Sequence, residues 1–208
     1  MTEETSPVIH LIDDDTAVRD ALALLIATVG LRVQTWPDPL DFMERFDRDG
    51  IGAIVLDVRM PGISGLTVLD RLLAEGVDQP VIMLTGHGTV DLCRRAFKAG
   101  AAEFLEKPVD DDLLLEALQN AVRAHVRSRQ RHRTDRHARE RFALLSERER
   151  EVLSLIVSGL TNKEIGRALA LSPRTVETHR ANLFGKLDAE SLAQVIRQYA
   201  DLAEGAAP

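Results

Sequence analysis

The chain has 208 residues, 45% of them hydrophobic, with a net charge of −7 and one cysteine, Cys93. That composition excludes a disordered chain and an internal disulfide framework; with no apolar run as long as the roughly 18 residues of a membrane span, and an acidic, polar Met1–Ser6 unlike a signal peptide, it predicts a cytoplasmic protein of one large or two small domains. The charge is uneven: residues 1–122 hold 10 Lys+Arg against 22 Asp+Glu, 123–142 hold 8 against 2, and 143–208 hold 8 against 9, which predicts two domains with different partners.

Val8 to Ile12 reads as a short strand that stops on Asp13-Asp14-Asp15. Val18, Leu22, Leu25, Ile26 and Val29 then recur at helical spacing up to Gly30, with Asp15 as the expected cap. A second strand is predicted from Leu31 to Trp36 and a short helix from Pro39 to Phe46. The apolar run Ile54-Val55-Leu56 ends on Asp57, and Pro61-Gly62 forces a turn before a helix from Ser64 to Ala74. Pro80 to Leu84 ends on Thr85-Gly86, a helix with Leu92, Ala96 and Phe97 closes at Gly100, and Ala102 to Leu105 stops at Lys107-Pro108. Leu114, Leu115, Leu118 and Val122 mark a further helix. Trp36 and Cys93 read as packing or surface residues, and His87 as a loop residue or the lip of a pocket.

Strands alternating with helices predict a doubly wound parallel α/β sheet. Asp13, Asp14, Asp57, Thr85 and Lys107 all fall at or just past the C-terminal end of a strand, the edge where such sheets bind ligands. Three carboxylates this close require a hard divalent cation, and all-oxygen ligands suit Mg²⁺. A metal-bound carboxylate beside a lysine and a hydroxyl is a place to receive a phosphoryl group.

This constellation resembles the receiver domain of two-component response regulators over about Val8 to Val122. The resemblance implies a strand order of 2-1-3-4-5 and phosphoryl transfer from a histidine kinase to Asp57. It implies Mg²⁺ held by Asp13, Asp14, Asp57 and the Arg59 carbonyl, with Thr85 and Lys107 on the phosphoryl oxygens. It also implies a cis Lys107–Pro108 bond and a switch pair, Thr85 and Phe104.

Residues 123–142 read as an arginine-rich helical linker that either continues the preceding helix or stands as an extended arm. Its basic face is a solvated surface, a DNA-backbone contact or a clamp on the acidic front. From Leu145 four short helices are expected with no strand between them. Ser146 with Glu149 forms a capping box before Val152, Leu153, Ile156 and Val157. Thr161 caps a helix burying Ile165, Ala168 and Leu169. Ser172-Pro173 starts a third that buries Val176, Leu183 and Leu187, and a fourth runs from Ser191 with Leu192, Val195, Ile196 and Tyr199.

Residues 143–208 therefore read as a helix-turn-helix domain, and Leu145 to Leu202 resembles the LuxR-type DNA-binding domain. With Asp-Val-Arg-Met-Pro-Gly and Thr-Gly-His-Gly in the front half, the chain is similar to the FixJ class of response regulators. By that similarity Glu177, Thr178 and Ala181 face bases, and Lys163, Arg174, His179, Asn182 and Lys186 contact phosphates or the groove edge; Thr175 lies on the same polar face. The resemblance implies a DNA-binding transcription factor, not an enzyme beyond self-catalysed phosphoryl transfer and dephosphorylation. Its expected partners are a sensor histidine kinase, promoter DNA, a second copy of the chain and RNA polymerase, with no membrane. Two rivals are a metal-dependent phosphatase with Asp57 as nucleophile and a constitutive DNA-binding protein with an inert front domain.

Overall fold

The computed structural model describes residues 6–204. Its first part alternates strands and helices: β1 Val8–Ile12, α1 Thr16–Thr28, β2 Arg32–Trp36, α2 Pro39–Arg45, β3 Gly52–Asp57, α3 Gly65–Ala74, β4 Val81–Thr85, α4 Val90–Lys98, β5 Glu103–Glu106 and α5 Asp111–Ala143. Four helices follow: α6 Glu147–Val157, α7 Asn162–Ala168, α8 Pro173–Leu187 and α9 Leu192–Glu204. The expectation of a strand-free second half holds across these elements.

All four strand pairings are parallel and the order is β2-β1-β3-β4-β5. The period-2 alternation of strand side chains separates two cores. Ile12, Ile54, Leu56 and Met83 face α2, α3 and α4 through Phe42, Leu69, Leu72 and Ala96. Ile9, Leu11, Val55, Ile82 and Leu84 face α1 and α5 through Leu22, Ile26, Leu114 and Leu118. Strand β3 is buried along its whole length, so Asp57 is the first charge after four fully buried apolar residues. His10 is a polar intrusion in the first core. It accepts a hydrogen bond from Trp36 Nε1 (3.3 Å) and lies against Phe42 and Phe46. Burial lowers its pKa to about 4, only partly opposed by the nearby Asp47 charge, so the ring is neutral there.

The alternative left open for the arginine-rich stretch is resolved: α5 continues unbroken through it to Ala143. Two compact units divide at Arg129/Gln130, within that stretch. Nor is the stretch uniformly solvated. His125 is 3% exposed, with Nδ1 3.0 Å from the Gly52 carbonyl and Nε2 3.2 Å from Asp78. Arg129 pairs with the same Asp78 at 2.9 Å.

The second unit packs Val152, Leu153, Ile156, Ile165, Val176, Leu183, Leu187, Val195 and Tyr199 with Ala138 of α5. One core expectation fails here. Ala168 is exposed, because α7 ends at that residue and its inward positions are taken by Ile165 and Gly166. On α9, Val195 and Tyr199 are buried while Leu192 and Ile196 stay exposed.

Candidate functional site

At the C-terminal edge of the sheet, three of the expected residues meet. Lys107 Nζ donates to Asp13 Oδ2 at 2.6 Å and lies 2.7 Å from Asp57 Oδ1. Each carboxylate is aimed by a backbone donor: Asp57 Oδ2 accepts from Arg59 N–H (2.8 Å), and Asp13 Oδ1 from Asp15 N–H (3.0 Å). The end of β1 is held by Arg19, a buried cation that sequence reasoning missed, whose Nη1 donates to the Asp13 carbonyl at 2.7 Å. Lys107 is carried to the site by its own N–H, which donates to the Thr85 carbonyl at 2.7 Å, and the bond to Pro108 is cis. Thr85 is fully buried, and its hydroxyl shares only long contacts with His87, 3.4 Å to the carbonyl and 3.3 Å from the N–H. Phe104 is half-buried against the first core. Asp15 caps α1, accepting from the Ala17 and Val18 N–H groups.

Two buried carboxylates share one ammonium, and the charge does not balance. Burial pushes the Asp57 carboxyl above the usual carboxylate range; Lys107 opposes this, Asp13 adds to it, and the Arg59 N–H pulls the other way. Burial by itself would lower Lys107, but its hydrogen bonds to Asp13 and Asp57 outweigh that and hold the amine above its ordinary value. The expected trio of carboxylates is not closed, for Asp14 is exposed. Among the described residues no three His, Cys, Asp or Glu side chains cluster as a metal site. The chemistry of the donors nevertheless fits a hard cation: two buried carboxylates with one positive partner, a third carboxylate beside them, and oxygen donors throughout.

Gly65 also supports the site and was not legible in the sequence. A Cβ there would lie 2.1 Å from the Asp57 carbonyl oxygen, so α3 reaches the end of β3 only without a side chain. Its N–H donates to the Val58 carbonyl at 3.0 Å.

In the second unit α7 and α8 form the helix-turn-helix. Thr161 and Ser172 cap the two helices and Pro173 sits in the first turn of α8, as expected from the sequence. Ala170, in the turn, adopts a left-handed φ of 54°. Gly166 keeps the turn tight, since a Cβ would meet the Leu171 carbonyl oxygen at 2.8 Å. Val176, Leu183 and Leu187 face inward. Arg174, Thr175, Glu177, Thr178, Ala181 and Asn182 are exposed on α8, as is Lys163 on α7, while His179 is half-buried. The Thr178 hydroxyl donates back to the Arg174 carbonyl at 3.1 Å.

Lys186 makes a bond that its helical position did not reveal. Its Nζ donates to Glu149 Oε2 at 2.7 Å, and that same oxygen accepts from Ser146 N–H and Oγ, closing the capping box of α6. Burial would raise the Glu149 carboxyl, but Lys186 and the two Ser146 donors outweigh it and hold the group below the usual range.

Family comparisons agree with both halves. Residues 9–119 match the response regulator receiver domain, and 143–199 match the luxR family of bacterial regulatory proteins. The transcriptional regulatory protein FixJ of Azorhizobium caulinodans is 44% identical over 99% of this chain and 96% of its own length. The C4-dicarboxylate transport transcriptional regulatory protein DctR of Rhodobacter capsulatus is 38% identical over 91% and 97%. Among solved structures, the response regulator StyR aligns at a TM-score of 0.83, with 35% identity over 94% of this chain and 99% of that one.

Proposed function

Because the chain belongs to the FixJ-like response regulators, phosphorylation-controlled transcription regulators with a receiver and a LuxR-type DNA-binding domain, we propose that Asp57 is the phosphoacceptor through which a partner histidine kinase controls it. The observation that carries this reading is Asp57 at the open end of a buried strand, sharing Lys107 with Asp13. The receiver function is assigned to 1–122, the helical linker to 123–142 and the DNA-binding function to 143–208.

In the transfer, an Asp57 oxygen attacks phosphorus as the bond to the kinase's histidine nitrogen breaks, and the imidazole leaves. A Mg²⁺ ion bound by Asp13, Asp14, Asp57 and the Arg59 carbonyl would supply charge neutralisation at the phosphoryl oxygens. Lys107, already aimed at Asp57, turns its ammonium to one of those oxygens. The Thr85 hydroxyl, whose contacts with His87 are long, swings in to donate a hydrogen bond, and Phe104 follows into the space that Thr85 vacates. Dephosphorylation by water at the same site is self-catalysed, and the receiver family is non-enzymatic in the main.

The output is DNA binding through α8, with Glu177, Thr178 and Ala181 toward bases and Lys163, Arg174, Thr175, His179 and Asn182 toward the backbone or groove edge. Lys186 joins that set only at the expense of its bond to Glu149. Exposed apolar side chains on each unit, Val90, Phe97 and Leu113 on the first and Leu192 and Ile196 on the second, support a dimer of the phosphorylated form, which then meets RNA polymerase at promoters. The described residues include no helix long and apolar enough to cross a membrane, and a cytoplasmic setting follows from the partners.

The test is labelling by acetyl phosphate with Mg²⁺. Wild type incorporates one acid-stable, base-labile phosphoryl group, and Asp57→Asn loses at least about 100-fold of the rate, the scale of a lost nucleophile. Labelling of Asp57→Asn at the wild-type rate would remove Asp57 from the reaction.

A further inference from the structure

Unit 130–208 carries a cleft of about 310 Å³ that the helix-turn-helix does not account for. One wall is the second half of α5, through Arg133, His137 and Arg141 at successive four-residue steps, which places them on one helix face. The opposite wall is α9, through Gln194 and Gln198, and the floor is Tyr199 with the end of α8.

The floor is made tolerant of an anion. The last carbonyls of a helix are its negative end and repel a negative ligand. Here they are occupied: the Lys186 carbonyl accepts from Arg141 Nη1 at 3.3 Å, and the Leu187 carbonyl accepts from Tyr199 Oη at 2.9 Å. The one acid in the lining, Asp188, is paired with Arg141 Nη2 at 2.9 Å. That leaves Arg133 and His137, which among the described residues make no ion pair or side-chain hydrogen bond of their own. Both are exposed at the mouth. The cleft therefore presents an uncompensated guanidinium, an imidazole and the Gln198 amide toward one space.

Charge points the same way. Residues 143–208 have a net charge of −1, whereas 130–142 adds five arginines against Asp135 and Glu140 and brings 130–208 to +2. We propose that this cleft binds a phosphate group, in the working protein either a phosphodiester of the DNA backbone or a free phosphorylated small molecule. The second half of α5 is then part of the binding machinery. The DNA arm rests on the DNA-binding reading above.

Two measurements on the full chain decide it. In the first, affinity for a promoter-length duplex is followed against salt for wild type and for Arg133→Gln/His137→Gln, each treated with acetyl phosphate and Mg²⁺; Arg141 is left in place because it pairs with Asp188. A salt slope shallower by about one to two in the double variant, with base preference and unfolding temperature unchanged, assigns the cleft to the DNA backbone. In the second, the His137 ring signals are followed by NMR as inorganic phosphate or pyrophosphate is added at constant ionic strength without DNA. A saturable shift in wild type that is lost in Arg133→Gln, with the DNA slope unaltered, assigns it to a free phosphate. An unaltered slope together with no saturable shift overturns the proposal. Wild type that binds no DNA under any condition would fail the DNA-binding reading instead, and the phosphate titration alone would then judge the cleft.

Discussion

Each unit sets buried carboxylate against a single lysine, two carboxylates in the first and one in the second, and the outcomes are opposite. At Asp57 a second carboxylate, Asp13, draws on the same Lys107, so burial wins and the carboxyl is held above its usual range. At Glu149 one carboxylate has Lys186 and two Ser146 donors to itself, and the carboxyl is held below its usual range. The number of donors per carboxylate separates them: the first site is short of positive charge, the condition that the proposed cation and phosphoryl chemistry would use, while the second is satisfied.

The largest test of that contrast is Glu149→Ala. It leaves Ser146 N–H and Oγ and Lys186 Nζ without their shared acceptor and opens the capping box of α6, and should destabilise the second unit by about 3 kcal/mol in urea unfolding. Loss of under about 0.5 kcal/mol, the range of ordinary surface changes, would show that the pair is ornamental. Next is Gly65→Ala. The new Cβ cannot coexist with the Asp57 carbonyl at 2.1 Å, so α3 or β3 must shift; about 2 kcal/mol of stability in the first unit and most of the labelling rate should go with it. Normal labelling by a well-folded Gly65→Ala would mean that the approach of α3 does not set the site.

The smallest effect is in pH dependence, and its sign is the informative part. Glu149 has a lowered folded pKa, so its contribution is present above the ordinary 4.5 and is lost as pH falls through the lowered value. Asp57 has a raised folded pKa, so ionising it in place costs stability as pH rises from the ordinary 3.8 through the raised value. In the absence of divalent cations, the advantage of wild type over Glu149→Gln should therefore grow with rising pH, while its disadvantage relative to Asp57→Asn should also grow. Parallel trends of the same sign, followed by thermal unfolding, would erase the distinction between the two sites.

Much of this was legible from residue order because it depends on local pattern. A fully apolar β-branched run of strand length reads as a buried strand and a charge at its end as the open edge; the same logic placed Asp13, Thr85 and Lys107 at strand ends, and caps such as Asp15, Ser146, Thr161 and Ser172 follow from their place just before a helix-periodic run. What escaped depends on partners remote in sequence. Gly65 and Gly166 are needed only because another backbone passes within contact distance. His125 looked like one more polar residue in an arginine-rich run until Gly52 and Asp78, 73 and 47 positions away, came to meet it. Lys186 lies on the polar side of α8, and only the fold, by bringing Glu149 across 37 positions, gives it a structural bond. Asp14 is exposed beside the buried Asp13, a difference that the run Asp13-Asp14-Asp15 does not itself display.

The proposed control of DNA binding by phosphorylation runs through the unbalanced carboxylate at Asp57. It is tested most directly by titrating a promoter-length duplex with the full-length wild-type chain and with Asp57→Asn, each with and without acetyl phosphate and Mg²⁺. The phosphodonor should shift the affinity of wild type by about tenfold or more, a coupling of roughly 1.4 kcal/mol, and leave Asp57→Asn unmoved. An equal response in both proteins would contradict it.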